Sequence, residues 1–330
     1  MKSTDRSANF FLLGCSRSGT TLLASLLNSH PDILVPPETW WFSTVKELGQ
    51  ANIRSKIWYK VLMHRVHGFL QSSQDPKIVE LIPIFLGKNN HFVGHYSELF
   101  LKLIEEIKTQ RNIMVVGEKT PAHSTYMEEI NTYYSSMNKV ILLRDPRDIV
   151  CSYFNAWFKH DLNSLYKILM IIKVYLHNLL YVADGSIIKI KYEDLTQFPD
   201  KELSKIFKFV GVKAVELNQL KKQSTIVAEG IHSNIDKPIM KNQGNYKNQL
   251  SKEFILLIEK LLLKEMIKMD YISTYSREEL SIYTLPLEFN NFQTDFENSI
   301  ITEKREKSSC NWKVRGLKKY KYLVKYLIGK

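Results

Sequence analysis

Short apolar runs alternate with longer stretches of three- and four-residue periodicity through most of this chain. Phe10 to Leu13, Ile113 to Val116, Val140 to Leu143 and Ile187 to Ile190 are short apolar runs bounded by polar or turn residues, the pattern of buried parallel strands. Between them, Thr20 to Asn28, Glu98 to Thr109, Pro146 to Phe158, Leu162 to Val182 and Lys201 to Val210 space their apolar residues as amphipathic helices do. Ser251 to Asp270 is the clearest helix: Ser251 suits its cap, Glu253 its first turn, and Phe254, Leu257, Ile258, Leu261 and Leu262 share one face. This alternation predicts an α/β fold in three layers, a central parallel sheet flanked by helices. Ligands of such a fold gather outside the carboxyl ends of the strands.

Residues 1–275 read as one domain. The periodicity then weakens, fading from about Leu285 into Asn, Glu, Ser and Thr, so 276–312 is expected to be linker-like. Residues 313–330 form a basic amphipathic segment, with Val314, Leu317, Tyr320, Val324, Leu327 and Ile328 on one helical face. Such a helix suits the surface of an anionic membrane, and equally a helix docked on the domain with a solvated lysine face.

Charge sharpens this division. The 330 residues carry a net charge of +12. The last 28 residues hold ten Lys or Arg against two acids, an excess of eight, which leaves +4 for the first 302. A nucleic-acid or other polyanion binder inferred from overall charge would rest mainly on the tail, so no nucleic-acid partner is expected. Cys15, Cys151 and Cys310 have no pairing that suggests a zinc site or a disulfide framework. The apolar run Phe10 to Cys15 is too short for a signal-peptide core, and Leu165 to Ala183 is broken by Lys167, Lys173, His177 and Asn178. These readings point to a soluble, cytoplasmic protein, with contact at a membrane surface left to the basic tail.

The strongest local signal is Phe10-Phe11-Leu12-Leu13-Gly14-Cys15-Ser16-Arg17-Ser18-Gly19-Thr20-Thr21-Leu22-Leu23. A buried strand enters a turn carrying Gly14 and Gly19 and leaves as a helix whose first turn offers Thr20 and Thr21. Unpaired amides, the helix dipole and two hydroxyls would converge there on one anion. Gly14 and Gly19 have the spacing of a nucleotide-triphosphatase loop, but Thr20 stands where that loop needs Lys, and the loop's own cation is Arg17. Glu118, the acid that ends a strand, has Lys119 beside it. The loop therefore looks built for a phosphate not paired with magnesium.

A second block, Val140-Ile141-Leu142-Leu143-Arg144-Asp145-Pro146-Arg147-Asp148-Ile149-Val150-Cys151-Ser152, places Arg144 at a strand end. Pro146 suits the first turn of the next helix, with Ser152 two turns along it. Taken alone, Arg144 could equally be an ion-paired helix cap. Gly117-Glu118-Lys119-Thr120-Pro121 ends another strand, Lys191-Tyr192-Glu193-Asp194-Leu195 a third, and Gln243-Gly244-Asn245-Tyr246-Lys247 is a late glycine loop.

In order and separation these blocks resemble the sulfotransferases that use 3′-phosphoadenosine 5′-phosphosulfate (PAPS), especially the bacterial, carbohydrate and tyrosylprotein branches. Their loop reads G-x-P-R-S-G-T-T-L-L, with a helix ending near His-Pro and then an acidic residue; this chain continues Asn28-Ser29-His30-Pro31-Asp32 and Pro36-Pro37-Glu38-Thr39. Ser16 stands where the family often has Pro. The resemblance covers residues 9–42, 114–153 and 187–195. It implies a phosphate-loop-like fold and transfer of a sulfuryl group from PAPS to a hydroxyl or amine of an acceptor such as a carbohydrate, lipid or small metabolite, leaving adenosine 3′,5′-bisphosphate (PAP), with no metal. Gly14, Cys15, Ser16, Arg17, Ser18, Gly19, Thr20, Thr21, Arg144, Ser152, Tyr192 and Gly244 would bind the donor, and Arg17 and Lys119 would stabilise the leaving oxygen. Glu38 aligns with the family's carboxylate base. His123 is the second candidate, because another branch uses His. Helical, aromatic-rich segments at about 43–111 and 155–183 would cap the acceptor side. A phosphate-loop kinase or NTPase, and a non-catalytic polyanion binder, are the rival classes.

Overall fold

The computed structural model of the protein describes residues 7–48, 52–53, 56–70, 76–89, 92–157, 162–180, 186–216, 218, 239, 241–291 and 293–294. Seven strands are described: β1 Ser7–Gly14, β2 Ile33–Leu34, β3 Asn52–Ile53, β4 Gly94–His95, β5 Val115–Glu118, β6 Met137–Leu143 and β7 Ile187–Lys191. Five of them form a parallel sheet in the order β2-β5-β1-β6-β7, and β3 and β4 pair antiparallel as a separate two-stranded sheet. Leu12 lies opposite Val140 and Leu13 opposite Ile141, while Leu142 meets Ile190 across the next pair.

The period of two along a strand divides these apolar runs between two cores. Phe10 and Leu12 face a cluster with Leu23, Leu27, Leu203, Ile206 and Phe207, from helices Thr20–Asn28 and Pro199–Val210. Phe11 and Leu13 face the other way, against helices Tyr96–Arg111, Leu162–Leu180 and Lys252–Lys268. Helices thus cover both sheet faces, as the run of apolar residues requires, and three layers result.

Strand β5 starts two residues later than the apolar run predicts. Asn112 turns left-handed at φ 51° and the Ile113 amide donates back to the Lys108 carbonyl at 3.1 Å, so the preceding helix's cap consumes the first residues of that run. The two-residue β2 has too little pattern for a periodicity argument. Helix Lys252–Lys268 is capped as expected, the Ser251 hydroxyl accepting from the Phe254 amide.

The segment expected to be linker-like holds some regular structure at its start. Arg277–Ile282 is a helix with a full capping box between Ser276 and Glu279, and Leu280 and Phe289 are buried, Phe289 edge-on to Tyr166. Sparse apolar residues hid this segment, because two buried anchors do not make a period. The basic segment 313–330 lies outside the described residues. No described helix is long and apolar enough to cross a membrane.

Strand β1 is central, with β5 on one side and β6 on the other, although the chain visits β2 to β5 in between. The carboxyl end of β1 therefore lies at the point where strand order reverses, the place where an open α/β sheet binds its ligand. Phe10 pairs with Gly117 across β1 and β5, and its ring lies over that glycine. A Cβ at Gly117 would sit 2.3 Å from the buried ring. Gly117→Ala is expected to destabilise the protein by about 1–3 kcal/mol through overpacking, read as a lower urea midpoint at unchanged slope.

Candidate active site

The loop between β1 and its helix turns through two left-handed residues, Arg17 at φ 69° and Gly19 at φ 99°. Such values suit glycine and strain arginine, and strained residues persist where their surroundings over-determine them. At Gly19 the surroundings are tight as well: a Cβ would lie 2.5 Å from the Tyr192 ring. The Ser18 amide closes the turn on the Cys15 carbonyl at 3.0 Å. From behind, the Ser124 hydroxyl both receives the Gly14 amide, at 3.0 Å, and donates to the Gly14 carbonyl, at 3.1 Å. Ser16 meets the hydroxyls of Tyr153 and Tyr175, from the two helices that follow β6. Burial pushes the Tyr153 hydroxyl up to about 12, so it stays protonated near neutral pH. Burial likewise pushes the Cys15 thiol far above its ordinary range, which suits a small buried residue and not a nucleophile.

Strand β6 delivers Arg144 to this loop. Its Nη1 donates to the Arg17 carbonyl at 3.0 Å, its Nη2 to the Asn242 carbonyl at 2.7 Å, and its guanidinium lies 4.3 Å from the centre of the Tyr192 ring. Arg17 in turn donates from Nε to the Ser152 hydroxyl at 3.1 Å. Arg144 and Ser152, eight residues apart, are thus brought together through Arg17. Burial lowers the Arg17 guanidinium from its ordinary value, with Tyr153 opposing that shift and the like charge of Arg144 adding to it. Ser18 Oγ and Arg144 Nε are buried without a hydrogen-bond partner among the described residues. Unpartnered buried polar atoms beside converging cations fit an anion's oxygens.

The two arginines of Arg-Asp-Pro-Arg-Asp divide the work. Among the described residues it is Arg147, not Arg144, that makes the ion pairs, with Asp145 and with Glu259 of helix Lys252–Lys268, both at 2.6 Å. Asp148 accepts the amides of Gly244, at 2.6 Å, and Tyr246, at 3.1 Å, and so docks the late loop beside Arg144. The Gly244 amide is thereby committed to Asp148, and it is the Asn242 carbonyl of this loop that touches Arg144. Tyr192 is buried beneath Arg144 and against Gly19, where it supports both. The sequence gives no local signal for Ser124 or Asn242, whose partners lie roughly a hundred residues away. Asp148 reads there only as an acid favourable at a helix start, and its partners Gly244 and Tyr246 are likewise remote.

At the end of β5, Lys119 donates to Glu38 at 2.7 Å; the lysine side chain is 1% exposed and the glutamate 27%. Behind them Glu118 is fully buried and accepts from Thr39 at 2.8 Å, from Thr120 at 2.6 Å and from His123 at 2.7 Å. His123 is fully buried, with Nε2 facing the Phe42 amide at 3.4 Å, so both ring nitrogens are engaged. An amide can only donate, which leaves the ring proton on Nδ1 toward Glu118. Among the aromatics at and just before the first helical segment, Trp41 and Tyr59 are core, while Trp40 is 37% exposed.

Glycine loop, strand-end cations and central parallel sheet together define a phosphate-loop α/β protein. A model described as the sulfotransferase family matches residues 9–216, well over half of the chain. The chain belongs to the sulfotransferase family. It is similar to nodulation protein NoeE of Sinorhizobium fredii (strain NBRC 101917 / NGR234), 27% identical over 153 residues, a match covering 44% of this chain and 31% of that protein. The chain's match therefore spans under a third of this relative. In fold it is similar to the sulfotransferase domain from the curacin biosynthetic pathway, with TM-score 0.59 and 16% identity over 80% of this chain and 98% of that one. The sulfotransferase domain of the Synechococcus PCC 7002 olefin synthase is comparable, with TM-score 0.57 and 19% identity over 80% and 94%.

Burial alone would raise the Glu118 carboxyl, but His123 and the hydrogen bonds from His123, Thr120 and Thr39 outweigh it and hold the group below the ordinary carboxylate range. A depressed folded value gives stability that is present above the unfolded value, about 4.3, and is lost as pH falls through the folded one. The melting-temperature advantage of wild type over Glu118→Gln is expected to be full near neutral pH and to shrink in acid below about pH 4, as read by calorimetry.

Proposed function

We propose that this protein transfers the sulfuryl group of PAPS to a hydroxyl or amine of an acceptor, without a metal ion. The observation that carries the reading is the approach of Arg17 and Arg144 across one strained loop, two like charges that an anionic ligand would reconcile. Ser18, Gly19, Thr20 and Thr21 at the helix start, with Gly14, Cys15 and Ser16 forming the turn, would cradle the 5′-phosphate. Arg144 and Ser152 would take the 3′-phosphate, with Tyr192 and the Gly244 loop holding Arg144 in place.

In the transfer the acceptor oxygen forms a bond to sulfur while the bond from sulfur to the bridging oxygen breaks. The acceptor's proton passes to Glu38, and the bridging oxygen leaves on the 5′-phosphate of PAP. Lys119 and Arg17 are the cations for the charge that develops on that oxygen, and fixed charges of this kind are usually the largest catalytic contribution. Glu38 is preferred to His123 as base because its carboxylate is partly exposed, whereas the imidazole is sealed between Glu118 and Phe42. Helix Trp41–Leu48 begins three residues after Glu38, and helix Leu162–Leu180 packs on the turn Pro121–Thr125. These and their neighbours in 43–111 and 155–183 would form the acceptor side. A membrane-surface role is proposed only for the basic segment 313–330.

PAP is expected to raise the melting temperature well above the shift given by ADP or by ATP with magnesium. Equal shifts from the three would point to a kinase, and none from any to a non-catalytic binder. Arg144→Ala is expected to weaken PAP roughly 10- to 100-fold by calorimetry, the loss of charge-assisted hydrogen bonds to phosphate. Glu38→Gln is expected to leave PAP affinity unchanged while lowering turnover by about 10²- to 10⁴-fold. Turnover near that of the wild type would remove Glu38 as the base.

A further inference from the structure

We propose that Glu118, acting through Thr39, is a positioning residue that fixes Glu38 against Lys119. The inference rests on the reading of Glu38 and Lys119 as the groups that carry the transfer.

The connectivity is direct. Glu118 precedes Lys119 in the chain, and Thr39 follows Glu38. The side chains of Lys119 and Glu38 meet at 2.7 Å, and those of Glu118 and Thr39, one peptide along in each segment, meet at 2.8 Å. The second contact is fully buried and the first reaches the surface at Glu38. Two adjacent side-chain bonds fix the relative position of two backbones far better than one, because a single bond leaves each segment free to pivot about it.

The backbone of the Glu38 segment is held from the same carboxylate. Thr120, bonded to Glu118, accepts the amides of Thr39 at 3.1 Å and Trp40 at 3.4 Å. Thr39 Oγ1 accepts the Trp41 amide at 3.3 Å, and His123, also bonded to Glu118, receives that of Phe42 at 3.4 Å. Four consecutive amides, Thr39 to Phe42, at the entry to helix Trp41–Leu48 thus end on side chains gathered by one carboxylate, and those of Trp40 to Phe42 are among the ones a helix leaves without internal partners. Trp40, at φ 52°, lies in the left-handed region in the middle of this set. A bulky residue there is strained and stays put only where its neighbours leave no alternative.

A cap for stability alone needs one neutral hydroxyl. A fully buried carboxylate is a costly device, since buried charges are often replaceable by apolar groups without loss of stability. What it provides is a single acceptor for Thr39, Thr120 and His123 at once, and so a fixed distance between the Glu38 segment and β5. Its location at the base of the reacting pair is where fixed distance matters, because a displacement of about 1 Å can cost on the order of 10²-fold in rate.

The test compares Thr39→Val, Thr39→Ser and Glu38→Gln with wild type in the full-length protein. Three quantities are read: melting temperature, PAP affinity by calorimetry, and sulfate released from PAPS at saturation with water standing in for the acceptor. The hydrolysis consumes one water and yields PAP with its 5′-phosphate as the dianion, sulfate and two protons. Thr39→Val is expected to bind PAP as wild type does while losing turnover on the order of 10²-fold, with Thr39→Ser restoring it. Should Thr39→Val fail to fold, Thr39→Ala removes the same hydroxyl with less bulk and is held to the same expectation. Wild-type turnover in a folded Thr39→Val or Thr39→Ala protein, or a loss matched by a loss of PAP affinity, overturns the positioning role and leaves the sulfotransferase reading standing. A wild-type protein that neither binds PAP nor releases sulfate overturns both.

Discussion

The molecule is organised around a guanidinium held by dipoles. Among the described residues Arg144 is met by two carbonyl oxygens and the face of Tyr192, partners that fix its position without neutralising its charge. A carboxylate in their place would make a stable ion pair and an inert one. The rest of the site depends on this choice: the loop turns left-handed at Arg17 to present its carbonyl, Gly19 leaves room for the ring of Tyr192, and Asp148 brings the 242–246 loop close enough to offer the Asn242 carbonyl.

Carboxylates are used where the structure needs locking. Arg147 joins Asp145 to Glu259 and so ties helix Pro146–Trp157 to helix Lys252–Lys268, while Glu118 gathers Thr39, Thr120 and His123 below the Glu38–Lys119 pair. Both clusters are buried and fully partnered. Buried ionic groups contribute little net stability, and breaking one is expensive, which makes them better at enforcing a single arrangement than at strengthening it. Two neighbouring arginines in one motif thereby have different surroundings among the described residues, Arg147 ion-paired with two carboxylates and Arg144 held by two carbonyls and a ring face.

The sheet was legible because four of its strands each carry a short apolar run, the pattern that buried parallel strands leave in a sequence. The helix Thr20–Asn28 and the capped helix at Ser251 were legible from their punctuation. Strand β2 is too short to have a period, and the helix Arg277–Ile282 is anchored at too few points, so both escaped. At the site, the loop glycines, Arg17, Lys119 and Arg144 could be read from local context. Ser124, Asn242 and the sealing of His123 could not, because each depends on a partner supplied by another part of the chain.

Sequence alone determined which residues had to lie at the carboxyl ends of parallel strands, since hydrophobic period and turn chemistry are local properties that act over a few residues. It also placed most of the excess positive charge in the last 28 residues. Only the tertiary structure decided which of those strand-end groups are ion-paired, which are held by carbonyls, and which imidazole is closed off. Those outcomes turn on distances of a few ångströms between segments roughly a hundred residues apart, and packing, not pattern, sets such distances.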